Sequence, residues 1–382
     1  MARDRLGGDD GKGDEVGHAF LLAHWAIGER PGHMPKPSKK KPARNATLSK
    51  KSATKASTKK APKKAAKKAP KKAAKQAPKK AAKKPASTSK RPPAPQVLTT
   101  ASAVQHLMMA ARAQGKTIGF VPTMGALHTG HAALIDEARK RADVVVVSIF
   151  VNPKQFGPTE DLSRYPRPLE ADVALCGRCG VDVVFAPGVD EVYPAGFDTK
   201  LLAGAVGKDL EGGHRPGHFD GVLTVVCLLF SIVQPHFAVF GEKDYQQLML
   251  VRRMAKDLRL TTEIVAMPVI RDVDGLALSS RNAYLNAEDR ARAVCVSRGL
   301  VAGQDALQRG EASSYAIEAA ARAAIVTTPG AEIAYIEVRD DRTFGRVDVV
   351  EREARLLLAV KLGGVRLIDN GPLFPGVHWR PN

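Results

Sequence analysis

Pro122-Thr-Met-Gly-Ala-Leu-His-Thr-Gly-His131 is the stretch on which the reading of this chain turns. The apolar run Thr117–Val121 before it reads as a short buried strand ending in Pro122, and Thr129–Arg141 after it reads as a helix. In a doubly wound sheet, ligands bind outside the carboxyl ends of the strands, where such a turn lies. Gly125 and Gly130 let the backbone approach a phosphate closely, and the helix start adds aligned N–H groups and a positive dipole end. His128 and His131 stand three apart at that start, so both side chains can reach the same anion. A helix-capping turn holding two satisfied histidines is the plainer alternative.

Outward from this turn, helix and strand alternate. Helices are expected at Ala101–Gln114, Leu169–Gly180, Phe219–Val233 and Asp244–Leu258. Strands are expected at Val144–Val151, Val181–Ala186, His236–Phe240 and Thr262–Val265. Val144–Val151 is almost continuously β-branched, as a strand buried on both faces should be. This alternation predicts an α/β fold with a Rossmann-like doubly wound parallel sheet over residues 97–269. Beyond Ile270 the pattern shifts to helices at Asn286–Arg309 and Ser313–Val326, then short strands near Ile333–Val338, Arg355–Val360 and Val365–Asp369. A smaller C-terminal α+β domain is expected over 270–382.

Three further runs sit where this fold would place ligand contacts. Phe150-Val-Asn-Pro-Lys-Gln-Phe156 leaves a strand with an amide and a cation, suited to a polar small molecule. Phe240-Gly-Glu-Lys-Asp-Tyr-Gln-Gln247 passes from strand through a glycine turn to helix; Lys243 can meet phosphates as a point charge, and Asp244 is placed to cap the helix. Asp274-Gly-Leu-Ala-Leu-Ser-Ser-Arg-Asn282 offers two hydroxyls and the cationic fork of Arg281, on a loop that can close over a nucleotide. Ordinary loop exits and surface turns are the alternatives for each run alone. Glu211-Gly-Gly-His-Arg-Pro-Gly-His-Phe219 is weaker, with Arg215 and His218 able to hold phosphate or a carboxylate. Near Tyr165-Pro-Arg167, Asp172 could reach Mg²⁺, although a solvated helix acid is the simpler reading.

Together these runs resemble a known family. His128-Thr129-Gly130-His131 is similar to the HxGH signature of the nucleotidylyltransferase superfamily, and the longer string Pro122–His131 resembles the pantothenate synthetases. Ser279-Ser280-Arg281-Asn282 is similar to that family's form of the KMSKS loop, and the FVNPKQF run to its FVNPxQF string. The resemblance covers about residues 97–382 and implies joining of pantoate to β-alanine through an acyl adenylate made from ATP with Mg²⁺. It implies ATP contacts at Met124, Gly125, Ala126, Leu127, His128, Thr129, Gly130, His131, Gly241, Glu242, Lys243, Asp244, Ile270, Leu278, Ser279, Ser280 and Arg281. Of these, His128, His131, Lys243, Ser279, Ser280 and Arg281 would be catalytic. It implies pantoate contacts at Gln155 and Gln247, a β-alanine contact at Gln155, and a homodimer. It names no metal ligands. Another nucleotidyl-transferring enzyme of the same fold is the nearest rival.

Charge separates a region the resemblance does not cover. The whole chain carries +20, yet residues 1–96 hold 27 Lys+Arg against 6 Asp+Glu, and residues 97–382 hold 32 against 33. Residues 36–91 have 23 Lys+Arg and no acid, and the unit Ala-Pro-Lys-Lys-Ala-Ala-Lys starts at Ala61, Ala69 and Ala77. Without large apolar residues such a stretch cannot offset backbone entropy, so 1–96 is expected to be a disordered basic extension. It resembles linker-histone tails and suits non-specific contact with nucleic acid or another polyanion by counterion release. A histone-like nucleic-acid binder is therefore a rival reading of the chain, and a solvated spacer the plainer one.

Cys176-Gly-Arg-Cys179 has no second CxxC or His pair at zinc spacing, and the chain's four cysteines are too sparse for a disulfide scaffold. No apolar run reaches the roughly 18–20 residues of a membrane span. A soluble, cytoplasmic enzyme with no membrane contact is expected.

Overall fold

The computed structural model describes residues 94–158 and 160–376. The expected disorder and polyanion contact of the basic extension lie outside the described residues, save its last three positions.

The strands are β1 (Gln96–Leu98), β2 (Ile118–Thr123), β3 (Val144–Ile149), β4 (Val183–Phe185), β5 (Phe237–Gly241), β6 (Glu263–Met267), β7 (Glu332–Asp340), β8 (Ala354–Leu362) and β9 (Val365–Leu373). The helices are α1 (Ala101–Ala113), α2 (Thr129–Arg141), α3 (Leu169–Arg178), the single turns α4 (Val189–Val192) and α5 (Glu211–His214), then α6 (His218–Val233), α7 (Tyr245–Asp257), α8 (Ala287–Arg292), α9 (Cys295–Gln308) and α10 (Ser314–Val326).

The first six strands form one sheet in the order β1-β4-β3-β2-β5-β6, and every pairing in it is parallel. The chain leaves β2 toward β3 and β4, then crosses to β5 and β6 on the other side. The order therefore reverses between β2 and β5, which is where a doubly wound sheet opens a ligand crevice. The register shows how it opens. β2 pairs with β3 from Ile118 to Thr123, but with β5 only at Gly119 and Phe120. Beyond Phe120 the two central strands part. β2 runs past the expected end at Pro122, because proline's missing N–H matters less where one neighbour has gone.

Helices cover both faces. Phe120, Val146 and Phe185 pack on one side with α1 and the apolar face of α6, while Val121, Val145, Val147 and Val184 pack on the other with Ile135 and Ala138 of α2. The second sheet is antiparallel, β7-β8-β9. A core of its own joins Leu356, Leu358 and Val360 of β8 to Leu300 of α9 and Ile317, Ala321 and Ile325 of α10.

The helix expected over Asn286–Arg309 is two helices, with a turn at Ala293–Val294. No residue of α8 is buried, whereas α9 buries Val296, Leu300 and Leu307. The chain changes course there so that α9 alone lies on the small sheet. Among the described residues, no helix is long and apolar enough to cross a membrane. Cys176 and Cys179 are both free; burial pushes the Cys176 thiol up to about 12, which leaves it an inert core group.

Candidate active site

A cavity of about 240 Å³ lies at the carboxyl end of β2 and β5. Its walls include Met124, His128, Gly130 and His131 from the β2–α2 turn, Gln155 from the turn after β3, and Gly241, Lys243, Asp244 and Gln247 from the β5–α7 turn. Ile270, Leu278, Ser279, Ser280 and Arg281 close the remaining side. The runs picked out in sequence thus converge on one space.

The β2–α2 turn holds itself. The His128 side chain caps α2: its Nδ1 accepts from the Gly130 N–H at 3.1 Å. His131 Nδ1 accepts from the His128 N–H at 3.3 Å. A backbone N–H can only donate, so each Nδ1 is bare and each ring carries its hydrogen on Nε2. Burial lowers both basicities, first among the causes, bringing His131 to about 3 and His128 below its ordinary value; the His128 ring beside it and Lys243 depress His131 further. At neutral pH the turn therefore presents two uncharged N–H donors. The two histidines cap the helix and line the cavity at once, and capping is what fixes the tautomer. Gly130 is required here, since a Cβ would meet His128 Cε1 at 2.8 Å.

The bend before the helix needs glycine too. Gly125 has φ +83°, and its absent Cβ would lie 2.9 Å from Asp172 Oδ2. Asp172, from α3, accepts the N–H groups of Ala126 at 2.9 Å and Leu127 at 2.7 Å. It is 2 % exposed, so the reading of a solvated helix acid fails, and both oxygens are engaged rather than free for Mg²⁺. Burial pushes its carboxyl up, and the two N–H donors restrain the rise.

Gln155 is set by its neighbours. Asn152 donates to Gln155 Oε1 at 3.1 Å and to the Gly221 carbonyl at 3.1 Å, and Tyr193 donates to Asn152 Oδ1 at 2.7 Å. Helix α6 approaches so closely that a Cβ on Gly221 would meet the Lys154 carbonyl at 2.2 Å. His218 Nε2 accepts from Arg215 at 2.9 Å, so its Nδ1–H donates to the Gln155 carbonyl at 2.8 Å. Burial and then Arg215 bring His218 down to about 4, consistent with a neutral link. Arg215 is also paired through two bonds with Glu160, at 2.5 and 2.9 Å.

Lys243 points into the cavity 3.5 Å from Asp244. Asp244 makes no side-chain cap to α7, contrary to expectation, because its carboxylate turns to the cavity instead. Confinement there works to raise it, but Lys243 and Arg281 outweigh this and hold it below the usual carboxylate range. Across the space, Arg281 meets Asp161 at 3.2 Å, and Ser279 Oγ accepts from the Arg281 N–H at 3.3 Å.

Gly125, Ala126, Leu127, Thr129 and Glu242 do not line the wall. The first three form the bend behind it, Thr129 is exposed, and Glu242 turns away to Arg355 at 3.2 Å. Asn152, Tyr165 and the apolar face of α6 at Val222, Val226 and Leu229 also line the cavity, and sequence reading did not select them. Asn152 lies inside the Phe150–Phe156 run itself, two residues before Lys154, so the signal for it is that run's second amide.

A family model described as pantoate-beta-alanine ligase matches residues 96–372. The chain belongs to the pantoate–β-alanine ligase family. It is 50% identical over 267 residues to the pantothenate synthetase of Trichlorobacter lovleyi, covering 70% of this chain and 94% of that relative. It is 52% identical over 297 residues to that of Nocardioides sp., covering 75% and 87%. The crystal structure of pantothenate synthetase from Thermus thermophilus aligns with a TM-score of 0.70 and 43% identity, covering 73% of this chain and all of that one. A pantoate-beta-alanine ligase from Francisella tularensis, complexed with beta-gamma ATP and β-alanine, aligns at 0.61 with 35% identity, covering 75% and 99%.

Proposed function

We propose a division of labour within this cavity for the ATP-dependent joining of pantoate to β-alanine, the reaction of this chain. The carrying observation is the pair His128 and His131. Both are neutral, both have Nδ1 spent on the helix's own N–H groups, and both line the space that Lys243 and Arg281 also face.

A carboxylate is a poor electrophile and must be activated. In this reading one oxygen of the pantoate carboxylate attacks the α-phosphorus of ATP, and the bond from that phosphorus to the bridging oxygen breaks as pyrophosphate leaves. His128 and His131 donate to the negative charge that gathers on the phosphates, Lys243 and Arg281 add positive charge, and Ser279 and Ser280 add hydroxyl donors. Such preorganised donors act without reorienting during the step. Pantoyl adenylate stays enclosed away from water. The β-alanine amine then attacks the acyl carbon, the carbon–oxygen bond to phosphate breaks, AMP departs with the electron pair, and the amine's proton is released. No side chain becomes covalently bound.

Gln155 offers its amide to pantoate and to β-alanine, and Gln247 offers its own to pantoate; Val222 and Val226 give an apolar surface for pantoate's methyl groups. Ile270 and Leu278 flank the adenine, with Met124 and Gly241 completing the nucleotide wall. The bend at Gly125, Ala126 and Leu127 shapes this wall from behind. Among the described residues, no group of three or more His, Cys, Asp or Glu side chains could hold a metal. Mg²⁺ needs only one or two carboxylates when it arrives on a triphosphate, and Asp244 is the acid facing that space. Mg²⁺ would offset charge on the phosphates.

The cluster that joins the antiparallel sheet to α9 and α10 supports taking 270–382 as a smaller domain beside 97–269, with Phe344 and Leu357 packing into the larger core. The homodimer and cytoplasmic setting expected from the family belong to the same reading. A second reading concerns residues 36–91, whose 23 basic and no acidic residues favour non-specific binding of nucleic acid. DNA affinity should fall steeply with salt and vanish on removing residues 1–93.

The experiment is AMP release with ATP, Mg²⁺, pantoate and β-alanine omitted in turn. AMP formed only with the full set supports the reading. AMP formed without pantoate, or none from folded protein, overturns it.

A further inference from the structure

Lys243 and the hairpin that leads into the Ser279–Arg281 loop come from different parts of the chain, yet both are held from behind by two adjacent residues of β9. Asn370 is 2 % exposed, and its Nδ2 donates to the carbonyls of Glu242 at 2.8 Å and Lys243 at 3.0 Å. Its Oδ1 accepts from Arg355 at 2.8 Å. The amide can sit only one way round, because a guanidinium has no acceptor and a carbonyl has no donor. Arg355 extends the grip: it meets the Glu242 carboxylate at 3.2 Å and Asp341 at 2.9 Å, and lies 3.7 Å over the Tyr245 ring. Tyr245 in turn donates to Asp341 at 2.7 Å. Glu242, Lys243 and Tyr245 of this turn are thus held by Asn370 and Arg355 of the small sheet and by Asp341 beside it.

Asp369, 3 % exposed, takes the other segment. It binds Arg271 through two bonds, at 2.6 and 2.9 Å. The same guanidinium donates to the Gly275 carbonyl at 3.0 Å and to the Asn370 carbonyl at 3.3 Å. Arg271 and Gly275 belong to the hairpin whose arms close where the Leu278 N–H donates to the Ile270 carbonyl at 2.9 Å. That hairpin runs directly into Ser279. Neither Asp369 nor Asn370 lines the main cavity; both line a smaller one behind Lys243.

We propose that Asp369 and Asn370 are positioning residues that fix the distance between the Lys243 turn and the Ser279–Arg281 loop for attack on ATP. The proposal rests on the reading of the cavity given above. Adenylate formation needs cations from both segments on one triphosphate at once, and misplacement by an ångström costs on the order of 10²-fold. Aminolysis of the adenylate breaks no bond between phosphates and does not need that register. Loss of Asn370 should therefore separate the two half-reactions. A purely structural residue would lower both in proportion to the folded fraction.

The test uses the full chain with Asn370→Asp and Asn370→Ala. The aspartate keeps the shape and the Arg355 contact but sets an oxygen against two carbonyls. The alanine removes all three hydrogen bonds. Pantoate-dependent exchange of labelled pyrophosphate into ATP reads the first half-reaction, and aminolysis of supplied pantoyl adenylate by β-alanine reads the second. Both are expressed per folded molecule, so a poorly folding aspartate variant leaves the alanine variant to decide. The expected result is a first half-reaction down about 10- to 100-fold with KM for ATP raised, and aminolysis within about twofold of the unaltered protein. Equal loss in both half-reactions, or no loss in either, overturns the proposal. Absence of pantoate-dependent exchange in the unaltered protein would instead remove the functional reading beneath it.

Discussion

The two strand-to-helix turns at the crevice are built on different principles. The turn after β2 is braced locally: His128 and His131 cap the helix they begin, and Asp172 holds the two N–H groups just before it. The turn after β5 has no side-chain cap, although Asp244 stands at the capping position. Its order comes from the antiparallel sheet, more than a hundred residues later in the chain, through Asn370 and Arg355. A local brace occupies one nitrogen of each histidine that it uses, whereas the remote brace leaves the Asp244 and Lys243 side chains, 3.5 Å apart, facing the cavity. The same geometric demand is met once by neighbours in sequence and once by a separate layer.

Substitution separates the two arrangements most sharply. His131→Ala and Lys243→Ala should each lower the rate of adenylate formation by about 10²–10³-fold, as loss of one preorganised donor does. Only His131→Ala should also lose stability, by about 1 kcal/mol, because only His131 is part of a cap. Equal melting of the two variants would break the comparison. Asp172→Ala leaves two backbone N–H groups without their acceptor and should cost about 2–3 kcal/mol in denaturant unfolding. An unchanged midpoint would mean that the first turn holds without its brace.

Acid should find the first turn as well. His131 has a folded value of about 3 against an ordinary 6.5, so the unfolded chain takes up its proton first. Its contribution is complete above pH 6.5 and is lost as pH falls toward 3. Between pH 6 and 4.5, stability should therefore fall by about 1 kcal/mol per pH unit on this account alone, with His218 adding in the same sense. In His131→Asn the slope should be shallower by that amount; parallel slopes would contradict a neutral buried His131. The smallest effect belongs to the second turn. Asp244→Asn should change stability by less than about 0.5 kcal/mol in urea unfolding, since no cap is removed.

What could be seen in the sequence follows the same division. The parallel sheet was legible because β3 is β-branched at every position but Ser148 and strands alternate with helical periods over residues 97–269. Helix α2 was placed to the residue, since its caps lie within three positions of its start. His128, His131, Lys243, Gln155 and Arg281 carried chemistry within short contiguous runs, and the fold brought those runs to one cavity. Asp172 is not legible in the sequence, because an acid on a helix carries no local sign of the N–H groups it meets 45 and 46 residues away. Asn370 and Arg355 hold Glu242 and Lys243 through contacts that span more than a hundred positions, which no local pattern shows. The break at Ala293–Val294 escaped notice because nothing in α8 or α9 stops a helix; packing of α9 alone imposes it.

The most direct measurement follows oxygen from pantoate. With the pantoate carboxylate labelled by oxygen-18, a route through pantoyl adenylate predicts one labelled oxygen in each AMP released and none in pyrophosphate. Unlabelled AMP, or label recovered in pyrophosphate or free phosphate, would contradict attack of the carboxylate on the α-phosphorus in this cavity.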